Sequence, residues 1–346
     1  MGLRASLEVV AAVTTDRIHD IRTIHCTKHQ HLLVPVRKGD EGLAICDVST
    51  PNNPTFLDHF SEEIDGASEA IPIDPEEHTV IVSDRNGGRL TTLDIADPSN
   101  IRLLDAVEDG ATAEGRYLGA RRMHYHDGTV FCAFGHGAGP GQNAALGSFD
   151  VSDPTNIDEL QYLTQDVPSI GYVRRYPGTD LLFCGGYRTN AFGVVDISDP
   201  ANMAVITFRH YDEAESMRDV HLDPDRDLAF VAEAEAGDSR GGIHVIDISE
   251  PGSLDAVAFF SHPALAGTRG LSPDPTYPVL YASARRADRA TVVDISDPTN
   301  LGVLASTGHE SMVGCHGNHF SDGHLFIGNA DGGGGYVTVI KPEITA

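Results

Sequence analysis

The sequence predicts an all-β fold, a single seven-bladed β-propeller of four-stranded blades. Three observations lead there. First, one strand-and-turn motif recurs: VVDISDP stands at 194–200 and again at 292–298, with variants ICDVSTP (45–51), TLDIADP (92–98), SFDVSDP (148–154) and VIDISEP (245–251). Second, its Asp falls at 47, 94, 150, 196, 247 and 294, at spacings of 47, 56, 46, 51 and 47 residues. That period belongs to a propeller or a solenoid. Third, each period holds four short β-rich runs parted by turn residues, as in SMRDVHLDPDRD, LAFVAEAEAGDSRGG, IHVIDISEPGS and LDAVAFFSH within 216–264. No 3.6-residue period is sustained, and four strands per repeat make a propeller blade.

Taken in order, the blades are read as 18–64, 65–117, 118–167, 168–215, 216–264, 265–310 and 311–341. The last contains only three strand-like runs, VGCHGNHF, HLFIGNA and YVTVIKP. The unassigned run SLEVVAAVTT (6–15) is expected to supply its outer strand. Closing the ring in this way removes the open edge of a linear array. One domain then spans 1–346. The repeated Asp and Ser bond local backbone and Pro fixes the turn into the fourth strand. This reading is preferred to a ring of metal-binding aspartates.

Composition narrows the function classes. The net charge is -27, with 51 acidic and 24 basic residues, of which only Lys28, Lys38 and Lys341 are lysine. Such a surface argues against nucleic-acid binding. No apolar run is long enough to cross a bilayer, and MGLRASLEVVAAVTTDR lacks a signal-peptide core. A cytoplasmic protein without a membrane partner is expected. Five scattered cysteines (Cys26, Cys46, Cys132, Cys184, Cys315) form no CxxC and fit reduced thiols. Trp is absent, which excludes a WD40 array.

The segments GLAICDVSTPNNP, GVVDISDPANM and GIHVIDISEPGS place D-[IV]-S-[DTE]-P after an apolar strand. In this the chain resembles the LVIVD-repeat family of β-propellers over nearly its whole length. The resemblance implies a propeller and names no catalytic residue. Blade seven departs from the pattern with VTVIKPE.

Function is expected where the repeats differ. Aligned by their distance to the next strand, with the third position apolar in six of seven, the innermost strands read Arg22-Thr-Ile-His25, Glu69-Ala-Ile-Pro72, Arg121-Arg-Met-His124, Gly171-Tyr-Val-Arg174, Arg218-Asp-Val-His221, Arg269-Gly-Leu-Ser272 and His316-Gly-Asn-His319. Innermost strands surround the axis, so equivalent positions converge. His25, His124, His221 and His319 then form a candidate site for a divalent transition metal (Fe, Mn, Zn or Cu), or for metal-free acid–base work with His316. The competing reading is histidines bonded between blades, with no ion. First and fourth positions also lie on opposite faces of a regular strand, which sets the two rings against each other.

Arg22, Arg121, Arg218 and Arg269, with Arg174 and Glu69, are candidates to hold a substrate. The loops between second and third strands add Arg37, Lys38, Arg85, Arg89, Arg188, Arg240, Arg285, Arg286 and Arg289. Together with the four ring arginines they place 13 of 24 basic residues on one face. Arginine forks suit carboxylate, sulfonate or phosphate. Loop acids (Asp40, Glu41, Asp84, Glu235, Asp238, Asp288) offset that charge. The Gly-rich stretch 135–143, with His136, lacks the Lys of a P-loop, so no nucleotide cofactor is expected. It reads as a lid or a flexible loop, and NADGGGGY (329–336) as a turn. Tyr172 and Tyr187 are rim or core candidates. Cys26 and Cys315 read as buried thiols rather than ligands.

Two functions remain. One is an enzyme acting on a small anionic molecule in the axial funnel, through metal-assisted or acid–base chemistry. The other is a propeller that binds a partner or ligand through its top loops without turnover.

Overall fold

The computed structural model describes residues 2–14, 19–108, 117–135, 144–212, 214–235, 241–330 and 336–346. Seven four-stranded antiparallel sheets are arranged as blades. Their innermost strands are His25–Cys26, Ala67–Pro72, Ala120–His126, Ile170–Arg175, Met217–Asp223, Thr268–Pro273 and Cys315–Ser321. The N-terminal strand Arg4–Thr14 pairs antiparallel with Tyr336–Thr345 as the outer strand of blade seven. The expected closure is present, two residues earlier than read. Thr15, His136, Asp238 and Arg240, with most of the Gly-rich stretch 135–143 and of the turn 329–336, lie outside the described residues.

The core lies between blades. Leu33, Leu43 and Ile45 of blade one meet Ala70, Val80, Val82 and Leu93 of blade two, all buried. Each such Leu, Ile or Val contributes about 1.5–3 kcal/mol on burial. The second and third strands are buried along nearly their whole length, as in HLLVPV and GLAICD, because both of their faces are covered by neighbouring blades.

The repeated Asp holds its turn. In all six copies its Oδ1 accepts a hydrogen bond from the backbone N–H two residues on. Ser49 to Asp47 spans 2.8 Å; Ala96 to Asp94, Ser152 to Asp150, Ser198 to Asp196, Ser249 to Asp247 and Ser296 to Asp294 each span 2.9 Å. This is an Asx turn, with no convergence of the six carboxylates.

One irregularity of the inner strands positions the site. Pairing with the second strand slips between Ala67 and Glu69, Ala120 and Met123, Ile170 and Tyr172, Met217 and Asp219, Thr268 and Gly270, and Cys315 and Asn318. The bulged residues include Ser68, Arg121, Gly171, Arg218, Arg269 and His316. A bulge inserts one residue and so breaks the two-residue alternation. First and fourth positions, on opposite faces of a regular strand, can thus both face the axis.

The register also corrects blade two. Ile71 pairs with Ile81 as His124 pairs with Phe131, each partner being the third residue of its strand. The blade-two set is therefore Ser68-Glu69-Ala70-Ile71. Glu69 belongs to the second position, and Pro72 falls beyond the fourth.

Candidate functional site

The axial space is two cavities, of about 870 Å³ and 740 Å³, that share Thr23 and Arg122 in their linings. The first-position ring lines the larger one: Arg22, Ser68, Arg121, Gly171, Arg218, Arg269 and His316. Arg37, Arg85, Arg188 and Arg285 reach it from the loops and Arg122 from below. Among the described residues the lining thus holds nine arginines and two carboxylates, Glu215 and Glu235.

The charge compensation is lopsided. On one side Asp20 takes Arg22 at 2.6 Å, Arg37 and Lys38. Glu235 takes Arg269 at 3.3 Å, Arg218 at 3.9 Å and Arg286. On the other side Arg85, Arg121 and Arg188 meet no carboxylate among the described residues, and surround Tyr187 instead. The guanidinium carbon of Arg121 sits 3.4 Å from the Tyr187 ring centroid, with Arg218 at 4.5 Å, Arg188 at 5.4 Å and Arg85 at 5.9 Å. This cation–π packing partly replaces a counterion. Gly171 makes room for it, since a Cβ there would stand 3.1 Å from the Tyr187 Cβ.

The cluster remains under electrostatic load. Burial, then Arg85 and Arg218, pushes Arg121 below the usual arginine range. Burial, then Arg218 and Arg285, does the same to Arg269. Arginine keeps its proton at neutral pH, so the load is stored as repulsion that an anion would relieve. Arg121 Nη2, Arg218 Nε and Arg269 Nε are buried without a hydrogen-bond partner among the described residues. Burial raises the Tyr187 hydroxyl, but Arg121, Arg218, Arg85 and Arg188 outweigh it and bring it down to about 7.

His316 is the histidine of this cavity. Its Nδ1 lies 2.8 Å from the Arg22 carbonyl oxygen. A carbonyl only accepts, so Nδ1 carries the proton and Nε2 is left as the acceptor. Burial, then Arg22 and Arg269, holds the ring neutral, well below the usual histidine range.

The middle of the axis is a charged belt from the second position. Arg122 Nη1 donates to Glu69 at 3.2 Å, the Met123 N–H also donates to Glu69, and Asp219 accepts from the Leu271 N–H at 3.0 Å. Arg122 lines both cavities, so this belt lies where they meet.

The fourth-position residues lie beyond it. His25, His221, His319 and Arg174 line the smaller cavity, with Glu69 at its inner end; His124 does not line it. The expectation of one funnel combining the histidine and arginine rings is therefore corrected. Among the described histidines only His316 shares the arginine cavity. Arg174 stands at the other end and Glu69 in the belt between, because the bulge places successive ring positions at different depths. Arg174 reaches toward Asp219 at 3.9 Å. His25 and His319 meet with ring centroids 4.9 Å apart, while His221 stacks on Phe230 at 6.2 Å. Among the described residues no three His, Cys, Asp or Glu side chains are grouped to hold a metal ion. The expected four-histidine shell is thus reduced to one imidazole pair. Burial, foremost, lowers His25 and His124 to about 3 and His221 and His319 to about 4, so all four are neutral at pH 7.

Other expectations resolve variously. Tyr187 lines the cavity, whereas Tyr172 is fully buried in the core. All five cysteines are buried and unpaired. Arg89 is held outside the cavity by Glu63 and Glu108, and Arg289 bonds Ser306. Among the acids named as offsets, Glu235 does neutralise the ring. Asp84 bonds backbone N–H groups of its own loop, and Asp288 caps Gly314. Arg122 and Asp20 were not anticipated. The doubled arginine of RRMH was the available signal for Arg122; Asp20 precedes the aligned strand and left none. No helix is long and apolar enough to cross a membrane among the described residues.

Fold and site define a closed seven-bladed propeller with an arginine-lined axial cavity. The family model described as the LVIVD repeat matches residues 36–61, 186–208, 229–259 and 287–307. The chain carries LVIVD repeats, and they are set in this propeller. Among solved structures it is similar to Kuenenia stuttgartiensis hydrazine synthase (TM-score 0.72, 15% identity, 95% of this chain and 97% of that one). It is similar to the Cps50 (Swd1) β-propeller domain of Myceliophteria thermophila (TM-score 0.70, 11% identity, 97% and 99%). A Bacteroides uniformis protein described as a candidate 6-phosphogluconolactonase also matches (TM-score 0.63, 12% identity, 80% and 84%). At these identities the likeness concerns the fold. The sequence matches no curated protein.

Proposed function

We propose that the protein is an enzyme for a small, multiply charged anion bound in the arginine cavity. The observation that carries this is that, among the described residues, nine arginines line the cavity and three of them, Arg85, Arg121 and Arg188, meet no carboxylate, in a chain of net charge -27. An otherwise anionic protein has concentrated its cations where they repel one another. Arginine forks give bidentate bonds to oxyanions, and a buried cavity strengthens each of them. His316 Nε2 is a neutral acceptor beside that anion and serves as general base. Tyr187, with its hydroxyl lowered to about 7, is the group able to exchange a proton near neutral pH. Any metal would sit at the His25–His319 pair, at the far end of the axis from this anion.

The test is a thermal-shift and calorimetric panel of sugar phosphates and di- and tricarboxylates, followed by NMR of each ligand that binds. Saturable binding, weakened at least tenfold by Arg121→Gln, and ligand conversion abolished by His316→Ala support the enzyme. Binding without conversion in the wild type selects the non-catalytic ligand-binding propeller. That second reading is favoured by the scarcity of acid–base groups in the cavity. No binding by any anion at millimolar concentration overturns both.

A further inference from the structure

The lopsided compensation of the cavity identifies where its ligand carries most charge. Glu235 and Asp20 already serve the Arg269 and Arg22 side. Around Tyr187, Arg85, Arg121 and Arg188 have no carboxylate among the described residues, and Arg121 Nη2 has no hydrogen-bond partner although the residue is only 9% exposed. These guanidiniums come from three blades: Arg85 follows the second strand of blade two, Arg121 lies in the bulge of blade three, and Arg188 follows the second strand of blade four. Their forks approach one volume from different directions. A single planar carboxylate saturates one fork; a tetrahedral dianion presents oxygens to several at once.

We propose that Arg85, Arg121 and Arg188, with Arg218 at the edge, form a subsite for a tetrahedral dianion of the phosphate-monoester kind, with Tyr187 as its floor. This rests on the anion-binding reading of the cavity and deepens it. The dianion takes the place of the counterion that the Tyr187 ring now imitates. Bound there, it offsets the positive field of Arg85, Arg121, Arg188 and Arg218 on the Tyr187 hydroxyl. Binding therefore returns a proton to any ionised Tyr187.

Calorimetry at pH 8 and constant ionic strength tests this with inorganic phosphate, sulfate and acetate, alongside absorbance at 295 nm for tyrosinate. Phosphate or sulfate should bind at least tenfold tighter than acetate and lower the tyrosinate absorbance; Tyr187→Phe should abolish that signal. Arg188→Gln, at an exposed position, should weaken the dianion about tenfold or more. Arg121→Gln should do the same, and Arg209→Gln on an outer strand should not. Phosphate without sulfate assigns a phosphate ester; both together assign the shared tetrahedral chemistry. Acetate binding as tightly as phosphate would overturn the dianion subsite and leave a carboxylate-binding cavity standing. Dianion binding unchanged in Arg188→Gln and Arg121→Gln would overturn its placement. If none of the three anions binds, the subsite and the anion-binding reading fail together.

Discussion

The two ends of the axis are built from the same seven strands, yet one gathers cations and the other neutral imidazoles. At the arginine end, bulged first-position residues and loop arginines crowd around an open volume, and two carboxylate groupings satisfy only part of them. At the histidine end, burial keeps His25, His221 and His319 uncharged, and Arg174 is drawn toward Asp219. Between them the Glu69–Arg122–Asp219 belt matches charge with charge. The lesson is that position in the repeat sets depth along the axis, and depth sets chemistry. Among the described residues unbalanced charge is concentrated at one depth, and that is where the proposed anion would bind.

The sharpest way to break the comparison is charge reversal. Arg121→Glu should weaken anion binding by about 100-fold or more, whereas Arg174→Gln should change it less than twofold, both by calorimetry. Next is the belt. Arg122→Leu leaves Glu69 buried without its partner and should cost about 3–5 kcal/mol in urea unfolding. Equal stability in that variant would mean that water reaches the belt and that the two cavities are one.

A smaller effect sharpens the asymmetry within the arginine end. Glu235→Gln frees Arg218, Arg269 and Arg286 from their shared carboxylate. Anion affinity should then rise several-fold, and a fall would mean that Glu235 positions the arginines rather than masks them.

The smallest effects are in pH. Tyr187 ionises more readily folded than unfolded, so its contribution is complete above pH 10 and is lost as pH falls through about 7. A 295 nm titration should show a step near pH 7 that Tyr187→Phe removes. The buried histidines run in the acid range. Their folded values are depressed, so the unfolded chain takes up protons first as pH drops below about 6.5. The urea midpoint should decline from there toward pH 4, and His319→Gln should flatten that slope without altering anion affinity.

Much of the fold was legible because a repeat is a long-range signal written locally. Six Asx turns fixed the period, and the missing fourth strand of blade seven pointed to the N-terminal strand. The site was legible only in part. RTIH, RRMH, RDVH and HGNH marked the inner strands, but merging their ends into one site was wrong. A β-bulge is a pairing event between strands, and nothing in the residues of one strand announces it. The same slip hid the blade-two frame, where Glu69 was read at the place of Ser68. The asymmetry around Tyr187 was hidden for another reason. Which arginine finds which acid depends on loops from separate blades, so Asp20 and Glu235 could be counted from sequence but not assigned.

The most direct test of the central claim is anomalous diffraction from crystals soaked in bromide. The strongest bromide peak is expected inside the arginine cavity, within contact distance of Arg121 and Arg188, and none between His25 and His319. Bromide at the histidine end, or an arginine cavity without bromide while surface arginines hold it, would contradict the account.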